Sequence, residues 1–505
     1  MQPDRNIKSV LIVGGGTAGW MTAAAMSRLI DTRQIAITLV ESDTIGTVGV
    51  GEATIPHIRH FNDLLGFKED DFVRETNATF KLGIEFNNWG HVGESYFHSF
   101  GRYGVAMNGL QFWHYWHRHN QAGGTTSIDD YNIQVMAAYR NKFQRPENIP
   151  NSPLSNIGYA FQFDASLYAR FMRNFAEARG VRRVEGRVTD VSLKPQNGHV
   201  DAVKLQSGET LSADFYIDCS GFRGLLIEQA LKTGYDDWSH LLPVNRAVAQ
   251  ACERVGEPEP FTRATAREAG WQWRIPLQNR TGNGHVYCSE YMEDERALEI
   301  LHDNLDAPAR GEPKFLRFTT GIRKKAWNKN VVSLGLSAGF LEPLESTSIH
   351  LIQSGIARLM ASLPDRDFSP ANIEYFNERT RLEYEEVRDF LVLHYHVTRR
   401  DDAPFWNHVR TMAIPDSLRL RIAQFEETAR VYHHGKDIFG EESWFAVMHG
   451  QGLKPRAYHP MADTMSDAEL DSRLAQIRQV WQQCLQRMPS HGAFLKDAGR
   501  TAHAA

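Results

Sequence analysis

The chain has 505 residues, 42% of them hydrophobic and 23% charged, with a formal net charge of -5. That balance is globular, and its acidic sign argues against a nucleic-acid partner, whose phosphates favour a basic surface. The length predicts two to four domains, or one large enzyme with an elaborated core.

The N-terminus, Met-Gln-Pro-Asp-Arg-Asn, has no apolar h-region, and no 18-residue apolar run follows. A soluble, cytoplasmic protein without a membrane partner is expected. Cys219, Cys252, Cys288 and Cys484 are far apart and show no C-x-x-C spacing, which fits a reduced compartment.

The first elements read strand, glycine turn, helix, strand. Ser9 to Val13 is a short apolar run suited to a buried parallel strand. Gly14-Gly-Gly-Thr-Ala-Gly19 follows, then a helical stretch from Trp20 to Ile30 and a second strand from Ile35 to Val40, closed by Glu41. Gly14, Gly16 and Gly19 complete G-x-G-x-x-G. Such a turn lets the backbone, with Thr17 and Ala18, approach a pyrophosphate at the start of a helix. Glu41 stands 22 residues after Gly19, where a carboxylate can accept from a ribose hydroxyl. The pattern predicts a dinucleotide site.

Further along, Phe80, Leu82, Ile84 and Phe86 alternate, predicting a strand with one apolar face. Lys81, Gly83 and Glu85 share its other face, which reads as solvated. His57, His60, His91 and His98 lie near one another but lack convergent metal-ligand spacing, so no metal is expected. Asp164 to Gly180 reads as a helix ended by glycine. Arg183 to Leu193 and Val200 to Leu205 read as strands joined near Asn197-Gly198, and Ala213 to Asp218 as another. Trp271, Trp273 and Ile275 alternate on a short strand ended by Pro276, a pattern equally at home in an aromatic core. Residues 370 to 400 and most of 414 to 490 read as helical, and the tail after Gly492 as loose.

Gly339-Phe-Leu-Glu-Pro-Leu-Glu-Ser-Thr-Ser-Ile-His-Leu351 sets a proline and two carboxylates at the predicted start of a helix. Ser346 or Thr347 is the expected cap, and the helix start offers N–H groups to an anion. Glu345 reads either as an N-terminal helix acid or as a group in contact with chemistry.

Two segments decide between NAD and FAD. Ala213-Asp-Phe-Tyr-Ile-Asp-Cys-Ser-Gly221 and Asn330-Val-Val-Ser-Leu-Gly-Leu-Ser-Ala-Gly339 resemble the second and third conserved segments of glutathione-reductase-type flavoproteins. The usual aspartate of the third is absent, with Ser337 nearby. The chain also carries Gly49-Val-Gly-Glu-Ala-Thr-Ile-Pro56, Trp271-Gln-Trp-Arg-Ile-Pro276 and Pro343-Leu-Glu-Ser-Thr347. Together with the glycine loop and Phe80 to Phe86, these resemble the flavin-dependent tryptophan halogenase family from about residue 8 to 360.

The resemblance implies an α/β, glutathione-reductase-type FAD-binding fold with a largely helical substrate module. It implies FADH2 from a separate flavin reductase, O2 and a halide ion, chloride or bromide, as co-reactants. The halide becomes hypohalous acid, which travels to a lysine beside a small, electron-rich aromatic substrate such as indole. By match of motif, Lys81 guides this oxidant, as a hydrogen-bonded species or a chloramine, and Glu345 orients it or accepts the ring proton. Thr347 and Ser348 bind halide; many members have glycine where Ser348 stands. Glu52, Ala53, Val188, Leu336 and Ile349 join the glycine loop and Glu41 as cofactor contacts. Trp271, Trp273, Ile275 and Pro276 form a wall between flavin and substrate. Thr54 of the same loop also reads simply as a helix cap.

The expected partition is discontinuous. An FAD module covers 1–100, 160–230 and 325–365, and a substrate module 101–159, 231–324 and 366–490, with 491–505 as tail. Tyr432, Glu442, Trp444 and Phe445 do not match the cluster that holds free tryptophan in the family, so the substrate stays open among indole, its derivatives, a phenol or a peptide-borne tryptophan. A flavin-dependent aromatic monooxygenase and a non-halogenating flavin-binding protein are the rival readings. The oligomeric state is open, with a homodimer among the options.

Overall fold

The computed structural model describes residues 5–44, 51–150, 152–432 and 437–501, the last three without their side chains. Gly49 and Val50 of the second motif and His433 and His434 lie outside them. The chain folds as two compact units: Met1–Asn77, Phe163–Asn245 and Leu316–Glu385 form one, and Ala78–Gln162, Arg246–Phe315 and Glu386–Ala505 the other.

The first unit is built on a six-stranded sheet, in the order Trp327–Asn328, Val331–Ser333, Phe215–Asp218, Ser9–Val13, Ala36–Glu41 and Arg182–Glu185. All pairs are parallel except the first. The central strand Ser9–Val13 is apolar throughout because it is covered on both faces, as parallel strands are. Helix Thr17–Leu29 crosses over to Ala36–Glu41, burying Gly19 to Ser27. Helix Ala165–Glu177 is capped by Asp164, whose Oδ1 accepts from the amides of Ser166 (2.9 Å) and Leu167 (3.2 Å). An antiparallel three-stranded sheet, Val188–Leu193, Val200–Leu205 and Thr210–Ser212, buries Val200, Val203 and Leu205 against Leu11, Val13 and Val40. The strand expected from Arg183 to Leu193 is two strands, broken at Gly186 and Arg187, because Arg182–Glu185 belongs to the parallel sheet and Val188–Leu193 to the antiparallel one.

The second unit carries a seven-stranded sheet, in the order Ala309–Arg317, Arg246–Cys252, Thr281–Tyr287, Gly270–Pro276, Thr262–Arg267, Gly83–Asn87 and Ser95–Ser99. Helices Pro404–Thr411, Asp416–Thr428, Glu441–Gly450 and Asp467–Arg487 supply most of its C-terminal part. Residues 491–501 form a further helix, where a loose tail was expected.

The unit boundaries differ from the expected ones. Residues 78–100, expected with the cofactor module, belong to the second unit. The cause is strand pairing: Thr79–Lys81 pairs with Ala160–Asp164, and Gly83–Asn87 with Thr262–Arg267 and Ser95–Ser99. No helix of the described residues is long and apolar enough to cross a membrane.

Candidate active site

In the first unit the three sequence segments meet at the C-terminal end of the parallel strands. Gly14 has φ +113°, and a Cβ there would come within 2.3 Å of the Cys219 carbonyl oxygen, so only glycine fits beside the second segment. A Cβ on Gly19 would stand 1.9 Å from the Gly14 carbonyl, the close helix–strand contact that the third glycine permits. Gly16 differs: nothing lies within 4 Å of where its Cβ would be. Gly16 is the N-cap of helix Thr17–Leu29, with no side-chain hydrogen bond to the first turn. The loop therefore presents backbone N–H groups and open space at a positive helix end, as a pyrophosphate requires.

Glu41 ends the neighbouring strand, as expected. Its Oε1 accepts from Arg183 Nε (2.6 Å) and its Oε2 from Trp20 Nε1 (3.2 Å). Asp218 ends the next strand and organises the second segment. Its Oδ2 accepts from the amides of Leu226 and Ile227, each at 2.8 Å, and its Oδ1 from the Ser220 amide (2.9 Å) and hydroxyl (2.5 Å). Ser337 ties the third segment to it, its hydroxyl donating to the Asp218 carbonyl. Gly335 brings that third segment against the glycine-loop helix, where its Cβ would lie 2.8 Å from Ala18 Cβ.

Of the other expected cofactor contacts, Glu52 and Ala53 lie on the short strand Gly51–Ala53. Glu52 is half-buried, and the loss of water around its carboxyl pushes it up to about 7. Leu336 is exposed, Val188 half-buried and Ile349 buried. The helix after Gly51–Ala53 starts at His57 with Pro56 as cap residue and no side-chain cap, so Thr54 is not its N-cap.

The segment 343–348 has a form the sequence did not suggest. Pro343–Glu345 is a single 3-10 turn, and Ser346 takes φ +59°. Helix Ser348–Ala361 then begins from Thr347, whose φ and ψ of -88° and -12° are already helical. In that conformation its hydroxyl caps nothing: Thr347 Oγ1 is buried without a hydrogen-bond partner among the described residues. The expected side-chain cap is absent, and the helix end keeps its donors. Glu345 and Thr347 are both fully buried.

Next to this turn is a cluster that sequence reasoning missed. The His350 ring lies 4.5 Å from that of His57, and its Nε2 is 3.1 Å from Glu383 Oε1. Glu383 Oε2 accepts from Ser354 and Arg358, each at 2.8 Å. Burial raises the Glu383 carboxyl, but His350 and Arg358 outweigh it and bring the group below its ordinary value. Burial, with His350 and His60 alongside, takes His57 down to about 4. The cluster fastens helix Ser348–Ala361 to helix Pro370–His396. Among the described residues, no three His, Cys, Asp or Glu side chains gather as a metal-ligand set.

In the second unit, Lys81 is fully buried, which corrects the solvated face expected for it; Glu85 on that face is also buried. The reason is the break at Leu82, which sends Thr79–Lys81 and Gly83–Asn87 into different sheets. Lys81 Nζ lies 5.3 Å from the centre of the Phe100 ring, a cation–π distance. Trp271 and Trp273 lie on strand Gly270–Pro276 as expected, both buried, with ring centres 6.1 Å apart. Gly284 makes room for Trp273: a Cβ there would come within 2.1 Å of the indole. Trp273 Nε1 is buried and has no hydrogen-bond partner among the described residues.

Of the four residues whose spacing did not match the family's tryptophan cluster, Glu442, Trp444 and Phe445 lie on helix Glu441–Gly450. Tyr432 is exposed, and Glu442 half-buried. Phe445 stacks between Trp113 (4.7 Å) and His449 (5.2 Å). Trp444 meets Phe390 at 4.8 Å, and Phe390 meets Phe439 at 3.9 Å and His98 at 5.7 Å.

A parallel sheet, a glycine loop opening a helix, a carboxylate closing the next strand and two further segments converging on that loop define a dinucleotide-binding flavoprotein fold. Comparison with known proteins narrows the class. The family profile described as tryptophan halogenase matches residues 9–467, and the chain belongs to that family. Its structure is similar to that of Xcc4156, a flavin-dependent halogenase from Xanthomonas campestris, at 47% identity and TM-score 0.94, covering 98% of this chain and 99% of the other. BrvH, a flavin-dependent halogenase from Brevundimonas sp. BAL3, matches at 44% identity and TM-score 0.94, covering 98% and 100%. Tryptophan 7-halogenase RebH from Lentzea aerocolonigenes is 32% identical over 527 residues, covering 97% of this chain and 98% of its own. The protein is thus a flavin-dependent halogenase, an enzyme that uses FADH2, O2 and halide. The glycine loop fits that cofactor by the clearances described above.

Proposed function

We propose that this enzyme halogenates a small, electron-rich aromatic such as indole, with Lys81 guiding hypohalous acid to the ring. The observation that carries the reading is the complete burial of Lys81 beside the Phe100 ring. A fully buried lysine is rare, and its close-packed surroundings fix where its amine stands. Reduced flavin and O2 supply the two-electron oxidation of halide. Thr347 and Ser348 hold the halide at the uncapped start of helix Ser348–Ala361, where backbone N–H groups and the Thr347 hydroxyl offer donors.

Lys81 then acts in one of two forms. As an ammonium it hydrogen-bonds the oxidant and polarises the halogen–oxygen bond; as an amine it forms a nitrogen–halogen bond as the halogen–oxygen bond breaks, one amine proton leaving with the hydroxide as water. In the first form, the carbon–halogen bond forms as the halogen–oxygen bond breaks, Lys81 gives a proton to the departing hydroxide, and Glu345 accepts the ring proton. Trp271, Trp273, Ile275 and Pro276 serve as a rigid wall that keeps the ring from direct oxygen insertion. FADH2 comes from a separate reductase.

The test supplies reduced FAD from a reductase with O2, bromide and a panel of indole, tryptophan, a phenol and a tryptophan-containing peptide, read by mass spectrometry. Brominated indole that disappears in Lys81→Ala and persists in the exposed Lys204→Ala supports the reading. Hydroxylated product without bromination would instead establish a monooxygenase, and product that survives Lys81→Ala removes the role of Lys81.

A further inference from the structure

Lys81 lies on an edge strand. Thr79–Lys81 is last in its small sheet and, among the described residues, pairs only with Ala160–Asp164, through Thr79↔Gln162, Phe80↔Phe161 and Lys81↔Ala160. An edge strand has amides that no neighbouring strand can satisfy, and when buried they need another acceptor. Here the Phe80 amide donates to Nε2 of His491, at 3.2 Å. On the other side of Lys81, the Leu82 amide donates to the Pro260 carbonyl at 2.7 Å. His491 Nδ1 is 2.8 Å from the Pro258 carbonyl, so it carries the ring proton and leaves Nε2 as the acceptor. The amides flanking Lys81 are therefore both referred to the short segment 258–260, one directly and one through an imidazole.

His491 is itself held firmly. It is fully buried, and its own amide donates to the Asn141 carbonyl at 2.8 Å. Its ring is 6.0 Å from Phe80 and 5.9 Å from Phe143. Phe80 stacks on Phe143 at 4.2 Å, and Phe494, one turn along the same helix as His491, meets Phe80 edge-on at 5.3 Å. Burial lowers the imidazole to about 4, so it is neutral at ordinary pH, and Nε2 keeps its lone pair.

We infer that His491 is a positioning residue for Lys81: it fixes the strand that places the lysine amine by accepting the amide hydrogen of the residue before it. The inference rests on the proposed role of Lys81. A misplacement of about 1 Å in a reacting group costs on the order of 100-fold in rate, and the Phe80 amide is one bond path from the Lys81 backbone. A merely structural histidine would affect stability and cofactor binding, and leave unchanged the fraction of oxidised flavin that yields product.

The experiment uses the full chain with a flavin reductase, bromide and indole. His491→Phe keeps the ring volume and removes both nitrogens; His491→Gln keeps one acceptor and one donor. Two quantities are read: brominated indole formed per FADH2 consumed, with the KM for indole, and hydrogen exchange of the peptide that contains Phe80. For His491→Phe the expected result is faster exchange at Phe80, an unchanged KM and a fall of about 10-fold or more in product per FADH2. His491→Gln should recover part of both. Faster exchange with wild-type product yield overturns the inference, and so does unchanged exchange. Should His491→Phe not fold, the same two outcomes are read on His491→Leu, which also removes both nitrogens. Lys81→Met is the control that separates the layers. If it still makes product, the reading of Lys81 fails; if it makes none while His491→Phe performs as wild type, only the inference about His491 fails.

Discussion

The glycine loop and the lysine strand solve opposite problems. At Gly14 to Gly19 the chain removes side chains so that backbone and open space can face a ligand. At Thr79 to Asn87 it buries a charged side chain and meets the backbone's needs with groups distant in sequence, a Pro260 carbonyl and the His491 imidazole. The first site is written in six consecutive residues. The second exists only once the chain has folded.

The strongest test of this contrast is Lys81→Met, which keeps much of the side-chain volume and removes the amine. Halogenated product should fall about 100-fold or more, the scale of a positioned proton-transfer group, while FAD titration gives the wild-type affinity. Lost FAD binding in this variant would mean that the two sites are not separable.

The glycine loop predicts a split between two substitutions of the same type. Gly14→Ala places a Cβ against the Cys219 carbonyl at positive φ and should cost at least about 2 kcal/mol by thermal unfolding, with loss of FAD binding. Gly16→Ala meets no protein atom, so its melting temperature without cofactor should equal wild type. Its FAD affinity should weaken by about 10-fold, or ~1.4 kcal/mol. Equal destabilisation by both would show that the loop's glycines serve packing alone.

The smallest effect concerns Glu52. Its carboxyl is raised to about 7 from an ordinary value of 4.5, so the folded apoprotein holds this proton more tightly than the unfolded chain. The stability this provides is full below pH 4.5 and is lost as pH rises through 7. Glu52→Gln should remove that part of the dependence and be the more stable form at pH 8. Parallel melting curves of variant and wild type across pH 4 to 8 would contradict the burial of this group.

These differences also explain what could be read in advance. The strands Ser9–Val13 and Ala36–Glu41, the turn between them and Glu41 were legible because their requirements are local: apolar runs, glycines at fixed offsets, a carboxylate at a strand end. Trp271 and Trp273 were placed on their strand by simple alternation. The burial of Lys81 was not legible, because alternation over Phe80 to Phe86 assumes one strand in one sheet, and Leu82 separates two. The capping role expected of Thr347 failed because a single 3-10 turn delivers the chain to it already helical. The tail looked loose because its composition gives no hint of a partner, and His491 meets Phe80 across 411 positions of sequence. The cluster of His57, His350 and Glu383 was hidden for the same reason: its members lie on three different helices.

Gly335 has a consequence for anyone who diversifies this enzyme. Its missing side chain and the methyl of Ala18 claim a single volume, since a Cβ on Gly335 would lie 2.8 Å from Ala18 Cβ. The two positions are therefore one variable in a library: enlarging either alone spends the space of the other. The positive φ of Gly335, +67°, also decides which of the two can yield. Productive variants should keep glycine at 335 and draw their diversity at 18 from the smallest residues.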